Sequence, residues 1–388
     1  MASDQPADAV VTAALDAYAR LPKHGKPVVR DNGVREWTVF ASIIVTTPSP
    51  VVASIGTGVK CLPANRLPPL GDTVHDSHAE VLARRGFVRY LLSEATSALE
   101  NESAILSFVE GRFVIKDNVE TWLYISALPC GDASTLHTAA HQDDAAASSY
   151  KGGLEEALSA VEGAARGRSG YANLGAIRTK PGRRDAPASI SFSCSDKIAL
   201  WCALGLQGGL LECFAPVYLD HIVVGGVIPI SEGEEWRETI RHEVERAVYG
   251  RLEGVVHLTN LAFPFDKPEG DCATANTSLS FVEGHKPEVL VNGSRVCRIE
   301  IMRAYLALQA LNPSGSVEEG ATYASLKVRN VPYATAKRVL RGELGVPVGM
   351  EWNLPHEFQA TAGDAPFTGW IVAGDRYMSF TAAGERRE

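Results

Sequence analysis

Three short stretches of the sequence carry residues of the kind that bind a metal ion and move protons. They are Asp76-Ser77-His78-Ala79-Glu80, Leu128-Pro129-Cys130-Gly131-Asp132 and Ser193-Cys194-Ser195-Asp196-Lys197. One imidazole and two thiolates are ligands that Zn²⁺ accepts in tetrahedral geometry, and three protein ligands leave the fourth position open for water. Glu80 follows His78 by two residues, so its carboxylate can take a proton from that water and pass it on. His78, Cys130 and Cys194 are therefore the predicted metal ligands, and Glu80 is the predicted proton shuttle.

Each of these stretches also has a purely structural interpretation. Ser77-x-x-Glu80 fits a capping box, in which Glu80 would only satisfy a backbone N–H at the start of a helix. A lone cysteine such as Cys130 or Cys194 is more often a small buried apolar residue than a metal ligand. The conjunction of the four residues favours the metal site, and no single stretch does so by itself.

The elements that must position these residues follow from the spacing of the apolar side chains. Helical spacing is predicted for residues 12–21, 78–92, 196–211, 234–249, 294–311 and 323–341. Strands are predicted for residues 36–47, 51–55, 121–127, 188–192 and 217–230. No linker or internal repeat divides the chain, so we expect one large domain over residues 1–388 with an α/β fold (α+β mixed).

Two segments are expected to lie outside the ordered core. Residues 133–175 are rich in Ala, Ser, Gly and Asp, and this composition predicts a flexible surface insertion. The last residues, 382–388, are predicted to fray.

Composition excludes several classes of protein. The first residues lack a basic start followed by an apolar block, so they do not form a secretory signal. No run reaches the roughly 18 apolar residues that a membrane span needs. Seven scattered cysteines are typical of a reduced protein, and we therefore expect an intracellular location, cytoplasmic or nuclear or both, without secretion.

The net charge of the chain is negative, but two stretches of it are basic. A formal charge of -9 argues mildly against nucleic acid as a partner, although one site can carry the opposite sign. Residues 166–197 contain seven basic and two acidic residues, and residues 323–341 contain five basic residues and no acidic one. On charge alone, either stretch is more readily a solvated face than a binding site.

These stretches together resemble a known family, the adenosine deaminases acting on RNA. The matching blocks are residues 56–61 (GTGVKC), 78–85 (HAEVLARR), 128–134 (LPCGDAS), 174–180 (LGAIRTK), 193–198 (SCSDKI), 204–211 and 216–219. His-x-Glu and Pro-Cys are parts of the zinc deaminase signature, but its second cysteine, three residues after the first, is missing here. In the resembled family that cysteine lies far along the chain, as Cys194 does. The resemblance spans residues 21–370 and implies an elaborated cytidine-deaminase-like core with a mixed sheet flanked by helices.

Within that family, several segments resemble the tRNA-specific branch. They are residues 21–27 (LPKHGKP), 32–33, 36–38 (EWT) and 178–185. This resemblance implies hydrolytic conversion of adenosine to inosine in tRNA, at position 37 of an alanine tRNA. No separate module for double-stranded RNA is expected before residue 21. The alternatives are another target, such as messenger RNA or a cytidine, or a catalytically inactive RNA-binding subunit; the oligomeric state is not predicted.

The same resemblance implies a second ligand, inositol hexakisphosphate, buried beneath the active site. Its implied contacts are Arg84, Arg85, Ser191, Lys197, Arg298, Tyr323, Lys327, Tyr333, Lys337 and Trp370. So many cations can share a low-dielectric interior only if a polyanion compensates their charge. Asp76 and Lys180 resemble residues that link this ligand to the zinc site through hydrogen bonds.

Contacts with RNA and two departures from the family pattern complete the expectations. Lys60, Arg183 and Arg184 are expected near phosphates of the RNA, because they are basic and lie in segments beside the predicted site. Leu200 stands where the editing branch usually has an arginine that reaches the inositol phosphate. His75 stands where an asparagine is common. Neither departure changes the predicted zinc ligands.

Overall fold

A seven-stranded sheet lies at the centre of the structure. The structure is a computed structural model that describes residues 5–140, 165–167, 174–180, 186–226, 233–248, 255–316, 318–345 and 365–387. In spatial order the strands are β12 (Val255–Leu258), β11 (His221–Val224), β8 (Glu120–Ile125), β2 (Phe40–Thr46), β3 (Pro50–Thr57), β14 (Leu279–Val282) and β15 (Glu288–Val289). The first three strands run parallel to one another and the remaining neighbours are antiparallel, so the predicted mixed sheet is confirmed.

Shorter strands form two-stranded ladders beside this sheet. The pairs are β1 (Arg35–Trp37) with β13 (Cys272–Thr274), β4 (Val59–Cys61) with β5 (Asp76–His78), β6 (Leu106–Val109) with β7 (Arg112–Ile115), and β9 (Ala165–Arg166) with β10 (Arg178–Thr179). The predicted strand 36–47 is therefore divided between β1 and β2. The β6–β7 hairpin is not among the predicted elements. It turns at Glu110 and Gly111, whose φ angles of 50° and 81° give the left-handed backbone that tight hairpin turns require.

Helices cover both faces of the sheet. They are α1 (Gln5–Arg20), α2 (Ala79–Glu100), α3 (Thr135–Ala140), α4 (Cys194–Leu204), α5 (Gly233–Val248), α6 (Arg298–Leu311), α7 (Tyr323–Arg329) and α8 (Val331–Leu340). The predicted helix 196–211 is wrong at its end, because Gly205 adopts a φ of 84° that terminates α4. The predicted single helix 323–341 is also wrong. Asn330 interrupts it, and its side chain accepts a hydrogen bond from the Tyr333 N–H to start α8.

The side chains of the central strands alternate between two cores. Leu123 and Ile125 of β8 face the larger core, which contains α2, α4 and α6. Trp122 and Tyr124 of the same strand face the smaller core, which α1 and Phe263 cover. This alternation is the period of two that an extended strand imposes, and it explains the apolar run of the sequence between residues 121 and 127. No helix among the described residues is both long enough and apolar enough to span a bilayer.

Helix α2, which carries several predicted site residues, is seated tightly on strand β3. A Cβ atom at Gly56 would lie 2.4 Å from the Ala79 carbonyl oxygen, so only glycine permits this approach. The Ser54 hydroxyl donates a hydrogen bond of 2.7 Å to the Ala83 carbonyl, one turn further along α2. The first turn of the helix is therefore held in a fixed position relative to the sheet.

Two expectations about segments outside the core have different outcomes. Of residues 133–175, those up to 140 form a short turn and α3, and residues 165–167 and 174–175 are also described. The rest lies outside the described residues, so flexibility there stays a prediction. The tail differs from the frayed segment that we expect from the sequence: Phe380 forms a β-bridge with Arg386, and the Arg387 N–H donates to the Ser379 carbonyl at 2.8 Å.

Two predicted strands are shorter than the sequence suggests. Residues 188–192 contribute one β-bridge, between Phe192 and Thr179, since their backbone pairs with the short strand β10 instead of the main sheet. The predicted strand 217–230 is ordered as β11 over His221–Val224, and residues 227–230 lie outside the described residues.

Candidate metal centre and the adjoining basic cavity

The three predicted metal ligands meet at one point of the structure. His78 ends β5 and precedes α2, Cys130 lies in the loop after β8, and Cys194 is the first residue of α4. The His78 Nδ1 atom lies 3.7 Å from the Cys130 sulfur and 3.6 Å from the Cys194 sulfur. Ligand atoms of a tetrahedral zinc ion are separated by roughly 3.3–3.8 Å, so the donor set fits this metal and leaves a fourth position free for water.

Backbone geometry holds the two cysteines together. Gly131 follows Cys130 with a φ of 106°, and a Cβ atom there would lie 2.2 Å from the Ser193 hydroxyl oxygen. The backbone N–H of Cys194 donates to the Cys130 sulfur at 3.3 Å. The next N–H, that of Ser195, donates to the Cys130 carbonyl at 3.0 Å. At the start of α4, the Cys194 N–H therefore stabilises negative charge on the Cys130 sulfur, and the Ser195 N–H fixes the Cys130 backbone.

Glu80 lies in the first turn of α2 with its carboxyl group buried. His78 occupies the N-cap position of this helix and no side chain caps it, so the capping box suggested by Ser77 and Glu80 does not form. The Oε2 atom of Glu80 has no hydrogen-bond partner among the described residues. Burial raises the pKa of the Glu80 carboxyl, although His78 acts in the opposite direction. A buried carboxyl with a free oxygen and a raised pKa is suited to carry a proton.

Asp76 is the centre of a buried network that reaches the metal ligands. Lys180 donates to the Asp76 carboxylate at 2.9 Å and to the Cys194 sulfur at 3.1 Å. Ser191 donates to the same carboxylate at 2.5 Å, and Lys197 also donates to it. Burial opposes the charge of Asp76, but the two lysines outweigh burial and hold the pKa of this carboxyl well below its usual range. Lys180 thus joins the Asp76 carboxylate to one of the predicted metal ligands, and the link to a bound polyanion stays a prediction.

A cavity of about 310 Å³ adjoins this network, since Asp76, Ser191 and Lys197 also line it. All ten residues that the resemblance assigns to inositol hexakisphosphate lie in the wall of this one cavity: Arg84, Arg85, Ser191, Lys197, Arg298, Tyr323, Lys327, Tyr333, Lys337 and Trp370. They come from helices α2, α4, α6, α7 and α8, from the segment before α4 and from the segment around residue 370. The sequence therefore predicted which distant segments would meet here.

The cavity concentrates positive charge far beyond what the surrounding acids balance. Among the described residues its wall holds seven cations and one carboxylate, that of Asp76. Burial, reinforced by the charge of Arg298, lowers the pKa of Lys327 to about 8. Burial and the charge of Lys327 lower the pKa of Lys337 to about 7. Such an excess of buried cations fits a polyanionic ligand and is unfavourable without one.

Both departures from the family pattern lie in the wall of this cavity. Leu200 is buried and contributes an apolar patch. His75 accepts a hydrogen bond of 3.4 Å at Nδ1 from the Arg298 guanidinium. Burial, together with the charge of Arg298, lowers the pKa of His75 to about 4, so the imidazole is neutral near pH 7. Its neutral ring can accept a hydrogen bond as an asparagine oxygen would.

One cation of the cavity wall, Arg341, was missed by the sequence analysis. It follows the last residue of α8 and is the seventh cation of the wall. The spacing of four from Tyr333 to Lys337 continues to Arg341, and this repeat is the signal that could have identified it.

The structure describes one of the three residues that are expected to contact RNA. Lys60 is exposed on β4, opposite Ser77 of β5, and its ammonium lies 3.4 Å from the Asn276 side-chain oxygen. It is therefore beside the metal centre, in a position that solvent reaches. Arg183 and Arg184 lie outside the described residues.

Comparison with known proteins identifies the family. Residues 54–280 match the profile of the adenosine-deaminase (editase) domain, and this segment contains the three metal ligands and Glu80. The chain belongs to the adenosine-deaminase (editase) domain family. The predicted resemblance is therefore confirmed.

Several relatives carry the name tRNA-specific adenosine deaminase 1. The protein of Schizosaccharomyces pombe is 35% identical over 224 residues, which are 55% of this chain and 56% of that protein. The protein of Saccharomyces cerevisiae is 30% identical over 320 residues, 75% of this chain and 76% of that protein. The Double-stranded RNA-specific editase B2 of Mus musculus is 33% identical over 206 residues, 48% of this chain and 27% of that protein. The chain thus spans about half the length of the fission yeast relative and three quarters of the budding yeast one.

Proposed function

We propose that the protein is a zinc-dependent hydrolase that converts adenosine to inosine in tRNA. The observation that carries this proposal is the meeting of His78, Cys130 and Cys194 beside the unpartnered carboxyl oxygen of Glu80, in a chain of the editase family. The reaction replaces the 6-amino group of adenine with oxygen from water and releases ammonia.

The residues around the site have separate roles in this reaction. A zinc ion held by the three ligands would activate a water molecule as a nucleophile at neutral pH. Glu80 takes a proton from the attacking water and delivers it to N1 of the adenine ring. It then carries a proton to the departing ammonia. The raised pKa of the Glu80 carboxyl supports this role, because burial makes the protonated form easier to reach than in an exposed glutamate.

Lys180 positions the Cys194 sulfur and balances its negative charge, and Asp76 holds Lys180 in place. Burial disfavours the charge of Lys180, but the Asp76 carboxylate and the Cys194 sulfur outweigh burial and raise the pKa of this ammonium. Lys180 therefore stays protonated and donates to the Cys194 sulfur. Such partners of a metal ligand fix its orientation and its basicity.

The substrate class is supported by the relatives and by the surface beside the site. Three of the relatives are named tRNA-specific, and one of them aligns with three quarters of this chain. An adenosine in a tRNA loop leaves its stack at a lower cost than one in a duplex. Lys60 lies next to the metal centre and can meet a phosphate of the flipped nucleotide. We propose position 37 of an alanine tRNA as the target.

The polyanion proposed for the basic cavity is inositol hexakisphosphate. Its six phosphates would compensate the cations of the wall, and the ten predicted residues would hold it. Through Ser191, Lys197 and Asp76 the ligand would be connected by hydrogen bonds to Lys180. The role of inositol hexakisphosphate in this proposal is structural, because neither the three metal ligands nor Glu80 lines the cavity.

An intracellular location is supported by the cysteines. All seven are free thiols, and Cys194, Cys202, Cys213 and Cys297 are buried. Oxidising compartments favour paired cysteines in secreted proteins, whereas a reducing compartment keeps buried thiols and metal-binding thiols free.

The proposal is tested with an unmodified alanine tRNA transcript. Purified protein is incubated with the transcript, inosine at position 37 is measured by sequencing, and bound zinc is measured by elemental analysis. Glu80→Ala should retain zinc and lose activity by about 100-fold or more, because general acid–base catalysis is removed. Glu238→Ala, on the exposed side of α5, is the matched control and should act like the wild type.

Each alternative predicts a different result. Inosine in a duplex RNA or uridine from a cytidine, with none at position 37, would sink the tRNA assignment but keep the chemistry. Zinc and tightly bound RNA without any deamination would indicate an inactive RNA-binding subunit. Loss of zinc in Glu80→Ala would return Glu80 to a structural role.

A further inference from the structure

Arg341 has a buried guanidinium that its neighbours do not satisfy. It follows the last residue of α8, lines the basic cavity, and its side chain is only 12% exposed. The Nε atom is buried and has no hydrogen-bond partner among the described residues. One end of the fork, Nη2, contacts the Glu343 carboxylate at 2.8 Å. A buried N–H without an acceptor is costly, so the geometry calls for an acceptor inside the cavity.

The neighbouring charges make this requirement stronger. Arg341 contributes to lowering the pKa of both Lys327 and Lys337, so its charge acts on the same enclosed space as theirs. Glu343 does not cancel that charge, because its side chain is 40% exposed and also contacts the exposed Arg338 at 3.5 Å. A partner that faces solvent and is shared between two arginines screens a buried cation weakly.

We infer that Arg341 is a further binding residue for a phosphorylated polyanion in the basic cavity. This inference rests on the proposed ligand, inositol hexakisphosphate. The planar guanidinium would direct its buried Nε–H to one phosphate, and this hydrogen bond would not depend on the Nη2 contact with the partly exposed Glu343. Arginine suits this task because its donors are fixed in a plane that matches phosphate oxygens. Arg341 also places a guanidinium in a wall whose buried Leu200 offers none.

The test measures how firmly the protein holds its ligand. Wild-type protein is purified with bound inositol hexakisphosphate, and the rate of exchange with isotopically labelled inositol hexakisphosphate is followed together with the bound amount per chain. Arg341→Leu should exchange about tenfold to 100-fold faster, since a hydrogen bond to a charged group contributes about 1.5–3 kcal/mol and every 1.4 kcal/mol is tenfold. Arg341→Lys keeps the charge but loses the planar fork, and it should fall between the two.

Two variants separate ligand binding from a structural ion pair. Arg338→Leu removes the exposed arginine that shares Glu343, and Glu343→Gln removes the shared carboxylate. Both should exchange ligand at nearly the wild-type rate. Exchange in Arg341→Leu equal to the wild type, or equally fast exchange in Glu343→Gln, would overturn the inference.

Failure of the ligand assignment gives a different result. If the wild type binds no inositol hexakisphosphate at all, the proposed ligand falls, and the inference falls with it. If the wild type binds the ligand but Arg341→Leu does not fold, the test uses Arg341→Lys and Glu343→Gln. Faster exchange in Arg341→Lys alone supports the inference. Equal exchange rates in these two variants contradict it.

Discussion

The metal centre and the basic cavity share helix α2 but manage charge in opposite ways. Glu80 belongs to the first site, and Arg84 and Arg85, about one turn later, belong to the second. At the metal centre, Lys180 pairs with the Asp76 carboxylate and also donates to the Cys194 sulfur. In the cavity wall, by contrast, seven cationic side chains line one space with a single carboxylate among the described residues.

This difference indicates what each site needs from outside the chain. The network of Asp76 and Lys180 is nearly balanced, so its geometry can form from the protein alone. In the cavity, burial lowers the pKa of Arg85 to about 10 and leaves its Nη2 atom without a partner among the described residues. A wall of this kind is complete only when anionic charge enters it.

The largest effect that separates the two sites is expected from Glu80→Gln. The amide keeps the shape of the side chain but cannot carry the proton, so tRNA deamination should fall by about 1,000-fold, within the range of general acid–base catalysis. Zinc content and the bound polyanion should both remain at wild-type levels. Turnover and the two ligand contents are measured on one preparation. A loss of polyanion in this variant would show that the sites are not separable.

The sequence predicted most of the residues that the structure brings together at the two sites, but not all of them. His78, Cys130 and Cys194 were predictable because a ligand set needs fixed residue types, and the cavity cations because the resemblance covers their positions. The division of 323–341 into two helices does not follow from apolar spacing; its signal is the N-cap residue Asn330 followed by Pro332 in the first turn of α8. Arg341 was missed because its role depends on which space it faces, and a basic residue at a helix end is usually solvated.

A smaller effect is expected where the two sites meet, from Asp76→Asn. The amide leaves Lys180 beside the Cys194 sulfur without its carboxylate, and loss of such a partner typically weakens metal binding or activity by about 10–100-fold. The polyanion should be held at least as tightly, because one negative charge leaves the cavity wall. Zinc affinity and ligand exchange are measured in parallel. Asp72→Asn, four residues earlier and bonded through its side chain to Thr73, is the matched control.

A third effect is a pH dependence of stability that arises in the cavity. The pKa values of Lys327 and Lys337, about 8 and about 7, lie below the value of about 10.4 in an unfolded chain. Between about pH 7 and pH 10 the unfolded chain therefore binds more protons than the ligand-free fold. Ligand-free protein should gain stability as pH rises through this window, by at most about 1.4 kcal/mol per pH unit for each lysine.

Urea unfolding at several pH values measures this slope. Added inositol hexakisphosphate should abolish it, because the ligand keeps both lysines protonated. Lys337→Met should reduce the slope and raise the stability of the ligand-free fold, since one repelling cation is gone. A steeper slope in the presence of ligand would contradict the proposed compensation of charge.

The position of the cavity residues along the chain has a consequence for biosynthesis. The metal donors and Glu80 all lie before residue 195, so a ribosome produces them before most of the cavity wall. The cavity wall also requires Tyr323, Trp370 and Met378, which are translated well after the metal donors. The polyanion can be enclosed only after these residues dock. A polyanion bound in this cavity would therefore be captured after the metal donors are made, and its binding would join early and late segments of the chain.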